Sequence, residues 1–79
     1  MNWKDHIVVD AEILSGKPVI KGTRLAVELI LDRLADGWSE EDLVRSYPNL
    51  TPEALQAVFA FASEVMREEE YIARKKAVV

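Results

Sequence analysis

Cysteine is absent from this 79-residue chain, which excludes a disulfide framework, a thiol nucleophile and a thiolate zinc site. The single histidine, His6, has no second histidine or thiol to share a metal with, so carboxylates alone would have to complete a site. A surface histidine is the plainer reading. Apolar runs last only a few residues, far short of the roughly 20 that cross a bilayer. The opening stretch, Met1-Asn2-Trp3-Lys4-Asp5-His6, is polar where a signal peptide carries an apolar centre. A cytoplasmic location is therefore expected. Repeats and low-complexity stretches are missing as well. Basic charge is scarce: 10 Lys and Arg face 14 Asp and Glu, for a net charge of −4. Affinity for nucleic acid rests on cations that neutralise phosphates, so binding over the whole surface is excluded and only a local patch remains open.

What is present is an ordinary globular mixture, 49% apolar and 30% charged, unlike the low-hydrophobicity composition of a disordered chain. The length suits one domain, 1–79, with a small core that nothing staples, so self-association as a homodimer is a natural source of extra burial. Charge is unevenly spread. Lys17, Lys21 and Arg24 fall in a window without acids, Arg74, Lys75 and Lys76 cluster near the end, and Glu40-Glu41-Asp42 and Glu68-Glu69-Glu70 lie between them.

Ile7-Val8-Val9 is a β-branched run and reads as a strand. Ser15-Gly16-Lys17-Pro18 has turn chemistry, and Pro18-Val19-Ile20-Lys21 reads as a second short strand closed by Gly22-Thr23. This β element, about 6–22, is too small to stand alone. It lies on the helices or pairs with the same segment of a second subunit. From Arg24 the period becomes helical, with Val27, Ile30, Leu31 and Leu34 on one stripe, Thr23 as N-cap and Gly37 as a left-handed stop. Ser39 caps a second helix, whose apolar positions are Leu43, Val44 and Tyr47 and which Pro48 ends. Thr51-Pro52-Glu53 opens a third, with Leu55, Val58, Phe59, Ala62, Val65 and Met66 as its apolar stripe. The spacing thus predicts helices over about 24–36, 39–47 and 52–74. The fold class is mainly α: a tri-helical helix-turn-helix, homeodomain-like bundle preceded by a short β element. The helix-turn-helix spacing by itself favours a plain bundle, since many small bundles share it without touching DNA.

The string Gly16-Lys17-Pro18-Val19-Ile20-Lys21-Gly22-Thr23-Arg24 resembles the small prokaryotic, antitoxin-like family known as DUF433. The likeness continues through Leu34-Ala35-Asp36-Gly37-Trp38-Ser39, Glu40-Glu41-Asp42-Leu43 and Tyr47-Pro48-Asn49-Leu50-Thr51-Pro52-Glu53. It covers roughly positions 5 to 65. Ala11 departs from it, standing where the family often has Pro, which affects a local turn. The resemblance implies a helix-turn-helix-like domain with an N-terminal β element, and genomic pairing with a PIN-like ribonuclease toxin. A fold alone does not license a mechanism.

Lys17, Lys21 and Arg24 are the DNA-binding candidates of the first half, as a basic ribbon on the phosphate backbone with Gly16 and Gly22 allowing close approach. Against this stands a structural turn in which Thr23 caps the first helix and Arg24 pairs with Glu28. Gln56 is placed to read a base from the third helix, since Gln pairs with adenine. That helix carries no Arg or Lys before Arg67, which favours packing over reading. Tyr71, Arg74, Lys75 and Lys76 are the toxin-binding candidates, cations for a carboxylate-lined nuclease site, with a solvated terminus as the alternative. Trp3 and Trp38 read as packing residues, Trp38 over the turn between the first two helices.

No side chain pairs a nucleophile with a base, because Ser39 and Thr51 read as caps and the contiguous acids point around their helices. Neither enzyme activity nor a cofactor is expected. The sequence supports a non-enzymatic antitoxin that binds a PIN-like toxin, and its own operator DNA as a dimer. A DNA-binding regulator without a toxin, or a protein-interaction module without DNA, are the alternatives.

Overall fold

The computed structural model describes residues 1–68. The chain opens with a 3-10 turn over Trp3–Asp5 and enters strand β1, Ile7–Val8. β1 pairs antiparallel with β2, Val19–Ile20, in the register Ile7 to Ile20 and Val8 to Val19. Ile7, Val19 and Ile20 are buried, so the β-branched residues that favour a pleated surface also fill the core. Each strand is only two residues long, and the element stands because it lies on the helices.

After β2 the chain stays extended rather than entering a helix at Arg24. The Ile20 N–H donates to the Leu25 carbonyl (2.9 Å), the Val27 N–H donates to the Pro18 carbonyl (3.0 Å), and Val19 bridges Ala26. Residues 24–26 thereby occupy the second edge of β2, and buried backbone groups find partners there that a helix would have withheld. Helix α1 begins only at Val27 and runs to Ala35. Thr23 is consequently not its N-cap. Its hydroxyl donates to the Ile20 carbonyl (2.7 Å) and accepts from the Leu25 N–H (2.9 Å), locking the turn between strand and extended segment. Ala26 holds the N-cap position without a side-chain bond.

α1 stops as expected at Gly37, whose φ of +99° suits a residue without Cβ. The Trp38 N–H donates to the Arg33 carbonyl and the Gly37 N–H to the Leu34 carbonyl, both at 3.0 Å, which satisfies the carbonyls left over at the helix end. Ser39 follows at once and caps α2, Glu40–Ser46, in a reciprocal box with Asp42: each side chain accepts the other's backbone N–H at 3.0 Å. Pro48 closes α2 by holding Tyr47 out of the helical region (φ −123°, ψ 88°). Helix α3, Pro52–Glu68, starts on Thr51, whose hydroxyl accepts from the Ala54 N–H at 3.0 Å.

The core joins β1 and β2 to Val27 and Ile30 of α1, Leu43 of α2, Leu50 of the connecting turn, and Ala54, Leu55, Ala57 and Val58 of α3. No buried residue is polar among those described. The inward face of α3 differs from the expected stripe. Beyond Val58 the packed residue is Phe61, whereas Phe59, Val65 and Met66 are 42%, 36% and 52% exposed. The cause is Trp3, whose ring meets Phe61 edge to face (4.7 Å, 83°) and whose Nε1 donates to Glu64 Oε1 at 3.0 Å. The N-terminal turn thus draws the 61 and 64 side of α3 inward and leaves the 59 and 66 side in solvent. No helix among the described residues is long and apolar enough to cross a membrane.

Candidate functional site

Gly22-Thr23-Arg24 and Tyr47-Pro48-Asn49 lie far apart in sequence and meet in space. A hollow of about 310 Å³ is lined by Thr23, Arg24, Leu25, Tyr47, Pro48 and Asn49. On the other side of the same loop, a second hollow of about 430 Å³ is lined by Val8, Ile13, Val19, Gly22, Thr23 and Arg24. Thr23 and Arg24 line both and form the ridge between them. The sequence makes this ridge in three steps. Gly22 turns the chain after β2 with φ +78°, a conformation that L side chains rarely adopt. Thr23 then locks the turn with its two hydrogen bonds, and the extended run 24–26 carries Arg24 along the outside of the sheet.

Arg24 is exposed and forms no ion pair among the described residues. Its planar guanidinium offers a fork of donors that fits a carboxylate or phosphate in bidentate fashion. The far wall is held rigid by stacking. Tyr47 lies over Trp38 (6.3 Å, 17°), and the guanidinium of Arg33 sits 5.3 Å from the Trp38 ring. Trp38 therefore bridges the last turn of α1 and the C-cap residue of α2, reaching beyond the turn between the two helices over which its sequence position placed it. Below it, Asp42 is held under the usual carboxylate range, chiefly by the Ser39 backbone N–H, then by the Ser39 hydroxyl and the Arg45 charge.

The other candidates divide. Lys17 Nζ binds Glu28 Oε1 at 3.0 Å, so the acid expected to pair with Arg24 is taken by Lys17 instead. That pairing leaves Arg24 without an ion pair among the described residues and occupies Lys17. Lys21 is exposed, with its backbone N–H fixed to the His6 carbonyl at 2.8 Å. Gln56 is exposed on α3 beside the likewise exposed Glu53, and it lines neither hollow. Tyr71, Arg74, Lys75 and Lys76 lie outside the described residues. His6 is half-buried, and no group of His, Asp and Glu capable of holding a metal occurs among the described residues. The residues that sequence reasoning passed over as site residues are Tyr47, Pro48 and Asn49, of which Tyr47 was read as an apolar position of the second helix and Pro48 as its stop. Their presence in the same recognised pattern as Gly22-Thr23-Arg24 was the available signal.

A model of the family described as "Protein of unknown function (DUF433)" matches residues 7–62, most of the chain and both walls of the groove. The chain belongs to this family. Among solved structures, it is similar to that of a DUF433 member protein from Anabaena variabilis, with 23% identity and a TM-score of 0.76. That likeness covers 82% of this chain and 64% of the other, so this chain spans less than two thirds of its structural relative, and the likeness speaks to fold alone. None of the curated proteins matches the chain. Family membership accounts for the shared architecture, a two-stranded antiparallel element followed by three helices.

Proposed function

We propose that this DUF433 protein is a non-enzymatic antitoxin, acting as a dimer, that binds a PIN-like ribonuclease toxin encoded beside it. The observation that carries the reading is Arg24: an exposed cation on an acidic chain, raised between two hollows and without an ion pair among the described residues. A nuclease site is lined by carboxylates, and a guanidinium fork beside Tyr47 and Asn49 is their chemical complement. The cations Arg74, Lys75 and Lys76, with Tyr71, extend the same complementarity in sequence. Co-expression of the chain with the short protein of the adjacent gene should yield a co-purifying pair and rescue growth. Arg24→Glu should weaken capture, and removal of residues 72–79 should abolish rescue while leaving melting nearly unchanged. Failure of the intact chain to capture its neighbour removes the antitoxin reading.

Operator binding is the second reading, favoured by the α2-turn-α3 arrangement together with the exposed Lys21 and Arg24. It is limited by Glu53 at the start of α3 and by the occupation of Lys17. Replacing Lys21 and Arg24 with Ala should flatten the salt dependence of DNA binding by about two units, one per lost phosphate contact. An unchanged slope places the contacts elsewhere.

A further inference from the structure

The extended run 24–26 covers one edge of β2 and has a second edge of its own. Val19 and Ala26 face each other as a pair whose neighbours carry the hydrogen bonds, from the Ile20 N–H to the Leu25 carbonyl and from the Val27 N–H to the Pro18 carbonyl. In such a pair the N–H and carbonyl of Ala26 point away from β2, and in an extended chain those of Arg24, two residues back, point the same way. The Ala26 carbonyl is taken by the Ile30 N–H at 3.3 Å. The Arg24 N–H, the Arg24 carbonyl and the Ala26 N–H have no partner among the described residues. Arg24 is exposed and Ala26 half-buried, so this edge lies at the surface. We infer that it takes an extended, acidic segment of the partner protein as one more strand. The inference rests on the proposed function for the identity of that partner, and three features select a peptide strand.

The first is the order of the groups, which runs donor, acceptor, donor along the edge. A peptide strand offers both kinds of complement, and main-chain bonds of this sort are how extended segments add to a sheet. The phosphate backbone of a nucleic acid offers acceptors, which would leave the Arg24 carbonyl facing an anion.

The second is charge. In an antiparallel pairing, the residue opposite Arg24 exchanges two bonds with it and carries its side chain on the same face, with Cβ atoms about 5 Å apart. Asp or Glu at that position reaches the guanidinium, and the exposed Lys21 adds a second cation, whereas Glu28 is already bound to Lys17. The same charge rejects a second copy of this chain. Antiparallel pairing of two such edges through the Arg24 groups sets one Arg24 opposite or diagonal to the other, and like charges there destabilise.

The third is space. Leu25 alternates to the other face and lines the hollow of about 310 Å³ with Tyr47 and Pro48. Cavities that hold a whole small ligand span roughly 300–1,000 Å³, so this one suits a side chain of a longer partner. The residue beside the acid in the added strand projects towards it, and an apolar side chain there meets Leu25 and Tyr47. The segment therefore alternates acidic and apolar residues.

Two probes separate the edge from the identity of the partner. The first is a heptapeptide of alternating valine and glutamate, titrated into the full chain while amide exchange is followed by nuclear magnetic resonance. At saturation, exchange at Arg24 and Ala26 should slow by roughly tenfold or more. A lysine-for-glutamate peptide should bind at least about tenfold more weakly, and duplex DNA should slow neither amide. The second probe is the short protein of the adjacent gene, whose complex should slow the same two amides. Ala26→Pro should weaken its capture by roughly tenfold, the effect of one lost hydrogen bond. Proline suits the position, because φ at Ala26 is −71° and Leu25 is extended, so melting should not fall. The added strand is overturned if neither probe slows the two amides, if DNA or the lysine peptide protects them as well as the acidic one, or if Ala26→Pro melts like wild type and captures fully. Should that variant melt lower, exchange in the wild-type chain decides. Capture of the neighbour with both amides unchanged removes this inference alone. Protection by the peptide without capture of the neighbour removes the antitoxin reading alone.

Discussion

Replacing Ser15 with glycine should stabilise this protein. Leu14, Ser15 and Gly16 form a short turn of left-handed residues, with φ of 47°, 57° and 88°, closed by the Gly16 N–H to the Ile13 carbonyl (2.9 Å) and the Lys17 N–H to the Leu14 carbonyl (3.2 Å). A left-handed non-glycine residue costs roughly 1–2 kcal/mol, because Cβ crowds the neighbouring carbonyl. Ser15 is exposed, and its hydroxyl has no partner among the described hydrogen bonds, so truncation removes no contact. Glycine returns part of the gain by loosening the unfolded chain, by up to about 1 kcal/mol. The net expectation is a stabilisation of about 0.5–1 kcal/mol, or roughly 2–8 °C in melting temperature for a domain of this size. Gly16→Ala is the companion variant. A Cβ there would meet its nearest atom, Ala11 Cα, at 3.8 Å, an ordinary contact, so its penalty of about 1 kcal/mol comes from φ alone. Thermal and urea unfolding of both variants test the account. If Ser15→Gly lowers stability while Gly16→Ala leaves it unchanged, left-handed strain is not what this turn stores.

Leu43→Ala, at a fully buried core position of α2, should cost about 2–5 kcal/mol and bring so small a domain close to unfolding at 25 °C, as urea titration would report. Asp42 contributes stability above the usual carboxylate range, because its folded pKa is depressed, and loses it as pH falls through the folded value. Asp42→Asn should therefore be less stable than wild type at neutral pH, with the gap closing below about pH 4 in melts followed by circular dichroism. Lys17→Ala should change stability by less than about 0.5 kcal/mol, since both partners of its ion pair are some 60% exposed (59% and 62%), and high salt should shrink the difference further.

Local chemistry was legible wherever the chain interacts with its near neighbours. Ser39, Gly37, Pro48 and Thr51 punctuate the helices where their residue types said they would, because caps and stops act within a few residues. Thr23 and Arg24 were misread because β2, the strand just before them, competes with the helix for the backbone of residues 24–26. Nothing within the helical period reveals that Leu25 and Pro18 carbonyls will bond across to β2 and to Val27. The face of α3 was misjudged for the same kind of reason. Its periodicity allows burial of either the Phe59 or the Phe61 side, and the choice is made by Trp3, far away in sequence. Of the candidate site, Arg24 was named from the sequence, but its neighbours across the hollow are a product of tertiary folding.

The Trp3 contact also bears on how the protein is made. Its partners Phe61 and Glu64 leave the ribosome last among the core elements, whereas Trp3 leaves first. A nascent chain can pair β1 with β2 and begin α1 long before α3 has emerged, but Trp3 must wait, exposed, until α3 has been synthesised. Closure of a loop this long is entropically late even in refolding from denaturant. Docking of Trp3 thus marks the arrival of α3. Truncated products would leave an indole in water where chaperones and proteases can find it.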